Sequence, residues 1–451
     1  MNMSGIWPMT EAVPVRFNGP LPAECDVVVI GGGVMGVMTA YHLAERGLSV
    51  VLCEKGRIAG EQSSRNWGWV RQQCRDPEEL PIMVESLAIW RQLAAELGDG
   101  LGFRQAGTMY LANRQKDFDA YEAWLPHARA HGVDSRMLSK AEVDAAFPGH
   151  RAAWVGAIAT PSDARAEPAT AVPLLAEAAV RRGAIIAENC AVRGLDISAG
   201  VVSGVLTERG AIRCSQVVVA GGAWSSLFLA AQGVRIPQLA VLASVAATEP
   251  LPQFHDGAAT DNHFAFRRRQ DGGYTLAPGA EHDFFIGPDA FRNLATYLPV
   301  LRKDVRSTTF RLRAPQGYPD AWATPRKWDV ETASPFEAVR VLNPKPNART
   351  IRRILDSFAA AFPAIGRPQV RIAWAGMIDT MPDIVPVIDR VARIPGLVVA
   401  TGLSGHGFGI GPGLGRVVAD LVAGREVGHD LYRFRLSRFS DGSTAAAGPS
   451  L

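Results

Sequence analysis

The chain has 451 residues, of which 47% are hydrophobic and 20% charged, and its formal net charge at pH 7 is +3. A chain of this length can bury a large core, and this composition excludes a largely disordered protein. The small net charge gives no support to nucleic-acid binding, which normally shows as a concentrated basic face.

The N-terminal residues carry no clear targeting signal. Residues 1–24 lack the apolar core of a secretory signal and are predicted to be an extension. The run over residues 27–44 is long enough for a membrane span, but its glycine triplet would break a spanning helix, so we expect no transmembrane segment. The cysteines are scattered, at Cys25, Cys53, Cys74, Cys190 and Cys214. They predict no disulfide framework, no metal site and a cytoplasmic location. Contact with a membrane is expected only through an electron acceptor.

The first predicted elements form a βαβ unit. An apolar strand over residues 27–30 leads into a glycine-rich turn, a helix ends at Arg46, and a second apolar strand covers residues 49–53. Continuous apolar strands are typical of a parallel sheet that is covered on both faces. The chain therefore opens with a fold of the nucleotide-binding type.

The turn in this unit has the spacing Gly31-x-Gly33-x-x-Gly36. The first glycine permits the tight turn, the second lets a pyrophosphate approach the main chain, and the third lets helix and strand pack closely. Glu54 ends the second strand, where a carboxylate can accept hydrogen bonds from a ribose diol. An acid at this position disfavours NADP and leaves NAD and FAD open.

The middle of the chain mixes helical and strand patterns. Helices are predicted over residues 77–97, 115–131, 173–182 and 349–362, and strands over residues 107–111, 184–188 and 201–208. The strand in "VVVAGGAW", from Val217, resembles the first strand and is predicted to join its sheet. Period-2 patches between residues 235 and 345 predict an antiparallel layer, with a hairpin turn over residues 271–273.

A second glycine-rich segment, "TGLSGHGFGIGPGLG", covers residues 401–415 and precedes a predicted helix over residues 417–422. We expect the glycines to form a loop against a ligand, and the helix N-terminus to face the pyrimidine edge of a flavin. The helix dipole would there stabilise the negative charge of the reduced ring. NAD has no such need, so this segment favours FAD.

The segment "GEQSSRNWGWVRQQ" over residues 60–73 lies between these two cradles. Ser63 and Ser64 are short donors suited to a pyrophosphate or a ribityl chain. Gly68 between Trp67 and Trp69 is typical of backbone that lies against a flat ring, although two core tryptophans would give the same pattern.

Several of these segments together resemble the FAD-dependent D-amino acid oxidase superfamily. They are "DVVVIGGGVMGVMTAYHLAERGLSVVLCEK", "SSRNWG", "VVVAGGAW", "WAGMIDTMPDIVPVID" and "GLSGHGFGIGPGLGRVVADLVAG". The similarity covers residues 26–424 and is closest to the branch of D-amino acid dehydrogenase, glycine oxidase, sarcosine oxidase and γ-glutamylputrescine oxidase. It implies an α/β protein whose discontinuous Rossmann-like FAD-binding domain carries an inserted α+β substrate domain built on an antiparallel sheet.

The domain boundaries follow from this resemblance and from the predicted elements. The FAD-binding domain is predicted over residues 25–100, 155–232 and 350–428, and the substrate domain over residues 101–154 and 233–349. Residues 429–451 are predicted to be a C-terminal tail, frayed after Ser440.

The resemblance also implies which residues contact FAD. They are Gly31, Gly33, Val34, Met35, Gly36, Glu54, Lys55, Ser63, Ser64, Val192, Ala220, Gly221, Gly405, His406 and Gly407. Sarcosine-oxidase-like members attach FAD through a cysteine in the segment that matches "WAGMIDTMPD". This chain has no cysteine there, so non-covalent FAD is expected.

The family reaction is hydride transfer to flavin N5, which oxidises the C–N bond of an amino acid or secondary amine to an imine that hydrolyses. No catalytic base is assigned. His406 could modulate the flavin charge or be a structural group. The predicted substrate contacts are Trp69, Arg267, Arg268, Tyr274 and Met377, with Arg65 and Arg71 as weaker candidates for binding a carboxylate. A solvated basic edge strand would equally explain Arg267 and Arg268.

Other functions stay open at this point. An FAD-bearing accessory or electron-transfer subunit of a multi-subunit amine or opine oxidase would show the same glycine segments. A flavin monooxygenase would need a site for NADPH, and the sequence has only one dinucleotide-binding glycine loop. The residue types do not indicate the substrate. They also do not indicate whether the electron acceptor is oxygen, a quinone or a carrier protein.

Overall fold

The computed structural model describes residues 7–279, 281–303 and 308–443. Of the predicted extension, residues 1–24, and the predicted tail, residues 429–451, residues 1–6 and 444–451 lie outside these ranges. The described parts of both segments pack onto the protein, since Met9, Val13 and Phe434 are buried in the core. The helices are α1 (Val34–Glu45), α2 (Gln62–Arg65), α3 (Leu80–Leu97), α4 (Gln115–Ala130), α5 (Lys140–Ala146), α6 (Pro168–Arg181), α7 (Ser225–Ala231), α8 (Pro288–Arg292), α9 (Leu294–Lys303), α10 (Pro335–Ala338), α11 (Ala348–Ala361) and α12 (Gly407–Ala423). None of the described helices is both long and apolar enough to cross a membrane.

The strands of the first half are β1 (Val27–Ile30), β2 (Val50–Cys53), β3 (Trp69–Val70), β4 (Arg104–Gln105), β5 (Thr108–Ala112), β6 (Arg136–Ser139), β7 (Gly156–Thr160), β8 (Ala164–Arg165), β9 (Ile185–Ala187), β10 (Val192–Ser198), β11 (Val201–Thr207) and β12 (Gly210–Arg213). The strands of the second half are β13 (Gln216–Val219), β14 (Leu239–Thr248), β15 (Ala258–Thr260), β16 (Ala265–Arg268), β17 (Tyr274–Ala277), β18 (His282–Phe285), β19 (Thr308–Arg311), β20 (Val370–Thr380), β21 (Val387–Arg390) and β22 (Leu397–Thr401).

A six-stranded sheet carries the nucleotide-binding fold. Its strand order is β21-β22-β13-β1-β2-β9, and only β21 runs antiparallel to its neighbour. Val27 and Val29 of β1 join the core on one face of this sheet, and Val28 joins the core on the other face. Burial on both faces explains why the strand is apolar throughout. Strand β13 pairs with β1, which confirms the prediction from "VVVAGGAW".

A second, larger sheet forms the predicted antiparallel layer. Its order is β19-β18-β14-β17-β16-β15-β5-β7-β6, and β20 pairs along β14. Two of its pairings, β5 with β15 and β18 with β19, are parallel. The predicted turn at residues 271–273 does connect the antiparallel strands β16 and β17. Helix α11 packs Phe358 against Phe264 and Phe266 and so covers this sheet.

The structure differs from the predicted domain boundaries in two places. Strand β7 pairs with β5 and β6, and strand β20 pairs with β14, so both belong to the larger sheet and not to the FAD-binding blocks. Sequence pattern identifies a strand but does not identify its partner. The predicted antiparallel layer also contains helices α8 and α9, which the prediction lacked.

The late glycine segment is mostly helical. Helix α12 begins at Gly407, whereas the prediction placed a loop up to Gly415 and a helix over residues 417–422. A Cβ atom on Gly411 would lie 2.8 Å from a side chain of α1, and one on Gly415 would lie 2.6 Å from another. The later glycines therefore let α12 and α1 pack closely and do not form the predicted ligand loop.

Candidate functional site

Two cavities adjoin where the six-stranded sheet meets the larger sheet. Gln62 lines both of them. Strand β20 runs between them, with Met377 and Asp379 toward the first cavity and Gly376 and Ile378 toward the second. Alternate side chains of a strand point to opposite faces, so β20 forms a wall that the two cavities share.

The first cavity lies at the carboxyl ends of β1, β2 and β13, the edge at which parallel α/β sheets bind ligands. Most of the predicted FAD contacts line it, namely Gly31, Gly33, Val34, Met35, Glu54, Lys55, Ser63, Val192, Ala220 and Gly221. Residues that are far apart in the chain thus meet around one space.

The turn after β1 opens the N-terminus of α1 toward this cavity. Gly31 has φ +112, and a Cβ there would lie 2.4 Å from a backbone oxygen that follows β13. Gly36 packs against the oxygen of Gly31, where a Cβ would lie at 1.9 Å, so it shapes the turn without lining the cavity. No side chain caps α1 at Gly33, and the N–H of Val34 donates to Ser63 Oγ at 2.8 Å. An uncapped helix N-terminus beside a hydroxyl suits a pyrophosphate.

Glu54 follows β2 and borders the same cavity. Its carboxylate accepts hydrogen bonds from the backbone N–H groups of Gly32, at 2.6 Å, and Gly56, at 2.7 Å. The surrounding protein raises the pKa of Glu54 to about 7, mainly by desolvation, although Lys55 acts in the opposite direction. A carboxylate in this place can accept hydrogen bonds from the hydroxyl groups of a ribose.

Aromatic rings line the end of the first cavity beyond Glu54. Trp224, Phe228 and Phe336 face it, and the ring of Phe336 lies 5.9 Å from that of Trp224 and 6.0 Å from that of Phe228. Such a slot suits a flat base such as adenine. The prediction missed these rings. Trp224 belongs to a motif that had been noticed, but nothing in the pattern around Phe336 connects it with a nucleotide site.

The second cavity has a volume of about 650 Å³. Its aromatic lining consists of Trp67, Trp69, Tyr110, Tyr121, Trp124 and Phe408. Of these, Trp69 had been predicted, and the helix α4 residues Tyr121 and Trp124 had not. A helix in an inserted domain carries no local signal that one of its faces borders a site.

Three arginines reach the second cavity, and two of them are already engaged. Arg65 donates to the backbone oxygens of Ala375 and Met9, at 3.0 and 2.9 Å. Arg75 pairs with Glu79 at 3.3 Å, and it donates to the backbone oxygen at position 406 at 2.9 Å. Both side chains therefore stabilise the surrounding backbone.

Arg71 differs because its guanidinium makes one hydrogen bond among the described residues, to a backbone oxygen, whereas the guanidinium of Arg65 makes several. Its guanidinium lies over the ring of Tyr110, 5.5 Å from the ring centre, and it donates to the backbone oxygen of Gln73. Burial raises the pKa of Tyr110 to about 12, so this ring stays neutral and forms no ion pair with Arg71.

Asp76 and Asp261 also line the second cavity, but Asp76 pairs with Arg433 and Asp261 accepts hydrogen bonds from Trp154 and from backbone N–H groups. Arg71 is therefore the positive group of this cavity that suits an anionic ligand.

His406 lies immediately before α12 and lines the second cavity together with Gly405, whose φ is +77. The side chain is 8% exposed, and neither ring nitrogen has a hydrogen-bond partner among the described residues. Burial, together with the charges of Arg75 and Arg71, holds the pKa of His406 well below its ordinary value. The ring is therefore a neutral imidazole with two free hydrogen-bonding atoms.

Three predicted substrate residues lie elsewhere. Arg267 is 1% exposed and contacts both carboxylate oxygens of Glu167, at 2.8 and 3.1 Å. Arg268 pairs with Asp256 at 2.7 Å, and Tyr274 donates its hydroxyl to a backbone oxygen. None of the three lines either cavity. We correct this assignment, because these groups are satisfied within the larger sheet.

The remaining differences are local. Met377 faces the first cavity and not the second, because it lies on the other face of β20 from Gly376 and Ile378. Ser64 and Gly407 line neither cavity; Ser64 Oγ instead donates to the backbone oxygen at position 61. These corrections leave five predicted residues that line the second cavity, namely Trp69, Gly405, His406 and the two weaker carboxylate candidates Arg65 and Arg71.

Comparison with known proteins gives consistent relatives. The family model for FAD dependent oxidoreductases, DAO, matches residues 26–421. Mitochondrial sarcosine dehydrogenase from Mus musculus is 27% identical over 437 residues and 95% of this chain, which spans 43% of that protein's length. Sarcosine oxidase subunit beta from Rhizobium meliloti is 27% identical over 436 residues, 95% of this chain and 91% of that protein.

The fold also has a near counterpart among solved structures. The structure of L-amino acid deaminase from Proteus myxofaciens, in complex with anthranilate, superposes with a TM-score of 0.90. The two sequences are 31% identical, and the match covers 96% of this chain and 97% of the other.

Proposed function

The chain belongs to the DAO family of FAD-dependent oxidoreductases, and from this premise we propose that it oxidises the C–N bond of α-amino acids to an imine, which hydrolyses to a 2-oxo acid. The first cavity would hold the ADP half of FAD, and the second would receive the flavin ring and the substrate. Bound FAD would supply the acceptor for the hydride that leaves the substrate carbon. The protein contributes binding, orientation and the exclusion of water.

The observation that carries this proposal is Arg71, the arginine of the second cavity whose guanidinium has neither a carboxylate partner nor more than one hydrogen bond in the described part of the chain. A buried guanidinium binds a carboxylate through two parallel hydrogen bonds. We assign Arg71 to the substrate carboxylate, which would orient the Cα–H bond toward the flavin. His406, a neutral imidazole in the same cavity, would hydrogen-bond the substrate amine or the flavin edge.

The substrate class follows from the shape and composition of the second cavity. Its volume of about 650 Å³ and its many aromatic rings suit an amino acid with a large apolar side chain. The similarity to an L-amino acid deaminase supports the L configuration. We therefore propose L-amino acids such as phenylalanine and leucine as substrates.

We further propose that FAD is bound without a covalent link. The second cavity carries one thiol, Cys74, and burial raises its pKa to about 12, so the reactive thiolate is not formed at neutral pH. Acid precipitation of the holoenzyme should leave the yellow flavin in the supernatant. A flavin that precipitates with the protein would contradict this part.

The test of the proposed function is anaerobic reduction of the bound flavin by a substrate panel. L-phenylalanine and L-leucine should bleach the absorbance near 450 nm, a general property of oxidised flavins, faster than their D isomers, glycine or sarcosine. Reoxidation by air would indicate an oxidase, and reoxidation by a quinone alone would indicate a dehydrogenase. If no amino acid bleaches the flavin, the proposal is wrong.

The sarcosine oxidase subunit beta relative favours a second candidate, a subunit of a multi-subunit amine oxidase. In that case sarcosine would reduce the flavin better than L-phenylalanine, and turnover would require a partner chain. The same panel separates the two candidates.

A further inference from the structure

A segment of the chain between the larger sheet and α11 crosses over the first cavity. We call residues 334–343 the adenosine strap; it contains the short helix α10 and precedes the strands and helices of the last FAD-binding block. Its contacts fall on the loop after β2 and on a separate three-stranded sheet of order β10-β11-β12. Nothing in the sequence patterns or in the family match assigns a role to it.

The strap contributes one side chain to the cavity itself. Phe336 lines the aromatic end of the first cavity, where it packs against Trp224 and Phe228. A third ring, that of Trp328, lies 5.3 Å behind it and holds it edge-on. Phe336 therefore belongs to the aromatic part of the cavity lining, which suits the base of a nucleotide.

Two ion pairs fasten the strap to the FAD-binding fold. Glu337 contacts Arg193 of β10 at 2.6 Å, and Arg340 makes two parallel bonds to Glu208, at 2.5 and 2.6 Å. The side chains of Glu337 and Glu208 are only 10% and 14% exposed. Removing one partner of such a pair leaves the other charge buried and unpaired, which costs much more than losing a surface pair.

Backbone contacts connect the strap with the ribose end of the site. Lys55 Nζ donates to the backbone oxygens of Val339, at 2.8 Å, and Arg340, at 3.0 Å. Lys55 follows directly after Glu54, the proposed ribose acceptor. The N–H of Leu342 also donates to Glu61 at 3.1 Å. No strap residue lines the second cavity, so the strap acts on the adenosine half alone.

We propose that the adenosine strap is part of the FAD site: Phe336 contacts the adenine, and the ion pairs Glu337–Arg193 and Arg340–Glu208 control how fast FAD is released. Phe336 lines the cavity, so moving the strap away from it would break both ion pairs. The strap therefore sets cofactor retention, and it does so independently of which amine is oxidised.

The experiment measures FAD release from the holoenzyme, by the recovery of free-flavin fluorescence after dilution. Phe336→Ala and Arg193→Ala should each release FAD about tenfold faster or more, the effect of losing roughly one aromatic contact or one buried ion pair. Arg213→Ala removes an exposed ion pair between the end of β12 and Glu24, so it is the matched control and should leave the rate unchanged.

Two further measurements distinguish a local effect from general damage. Charge exchange in the double variant Arg193→Glu/Glu337→Arg should restore most of the retention. On protein stripped of FAD, Phe336→Ala should weaken ADP and FAD by the same factor, because only the adenosine half is affected. The proposal would be overturned if both single variants release FAD at the unchanged rate, or if Phe336→Ala weakens the affinity for FAD but not for ADP. A flavin that stays attached to the protein after unfolding would overturn it as well. None of these readouts uses an amino acid, so they stand apart from the oxidation proposed above.

Discussion

Arginines of identical chemistry have different roles in this chain, and the difference lies in what surrounds each of them. The run Arg267–Arg268–Arg269 has the pattern of a carboxylate site, yet Arg267 is neutralised by Glu167 and Arg269 by Asp271. Arg71 lies in a segment already connected with the flavin and has no such partner among the described residues. A sequence shows the cation but not its counter-ion, which for Arg267 is 100 residues away.

Replacement of Arg71 is the direct test of its role. Arg71→Met should raise the KM for L-phenylalanine about 10- to 100-fold, because a charge-assisted hydrogen bond contributes about 1.5–3 kcal/mol. Arg71→Lys should recover only part of this loss, since a lysine cannot bind a carboxylate with two parallel N–H groups. Arg268→Met removes an arginine outside both cavities and should leave KM unchanged. Steady-state kinetics on the three variants checks this, and equal KM values for Arg71→Met and Arg268→Met would contradict it.

Glu54 makes FAD binding dependent on pH. Its pKa is raised to about 7 when no ribose is bound, and the ionised carboxylate is the stronger acceptor for ribose hydroxyls. Binding therefore favours the deprotonated form, so FAD affinity should rise with pH up to about 7 and level off above it. The slope below this pKa is at most tenfold per pH unit.

Fluorescence titration of FAD-free protein between pH 6.5 and 8.5 measures this dependence, and Glu54→Gln should flatten it. The lower limit avoids Asp379, which lines the same cavity and whose pKa burial raises to about 6. An unchanged slope in Glu54→Gln would show that another group is responsible.

At the scale of elements, the two ends of the FAD-binding fold were predictable to different degrees. The first βαβ unit follows from continuous apolar strands and from glycine spacing, and β1, α1 and β2 lie within two residues of their predicted bounds. Helix α12 is shorter in the prediction because its glycines were interpreted as a loop against a ligand. Glycine is also a poor helix former in an exposed helix. Here the cost is offset by packing against α1 and α3, which only a glycine surface permits at this distance.

Gly415 tests this explanation of the glycine-rich helix. A Cβ there would lie 2.6 Å from the Cβ of Met38 and 2.9 Å from the backbone nitrogen of Thr39, and the backbone of α1 cannot shift alone. Gly415→Ala should lower the free energy of unfolding by about 2 kcal/mol, although alanine is intrinsically the better helix former. Gly409→Ala is the control in the same helix, because its nearest atoms would lie at 3.2 Å and the loss should be smaller. Urea unfolding of both variants compares them, and a stabilised Gly415→Ala protein would disprove close packing as the reason for the glycines.

For the molecule as a whole, the sequence grouped residues around one cavity more reliably than it predicted which sheet holds each segment. Ten of the fifteen residues that the resemblance implies as FAD contacts line that cavity. By contrast, β7 and β20 were assigned to the wrong sheet, and Phe336 and Tyr121 were missed. Motifs are local and can be recognised without knowledge of the fold. Strand pairing and cavity walls depend on contacts between residues that are far apart in the chain.

The position of the first cavity predicts how FAD affects unfolding. Its walls come from the six-stranded sheet, from β20 of the larger sheet and from the adenosine strap. FAD bound there would contact the parts of the molecule built on both sheets. A ligand that binds only the folded state stabilises it by about 2.7 kcal/mol at a free concentration 100 times its Kd. FAD should therefore raise the thermal midpoint of both parts of the protein together. ADP at the same multiple of its own Kd should do the same, because the ADP moiety of FAD would span this cavity. Scanning calorimetry of FAD-free protein with each ligand measures this. A transition that splits, with one half unaffected by FAD, would mean that the cofactor is held by one sheet alone and that the larger sheet contributes nothing to its binding.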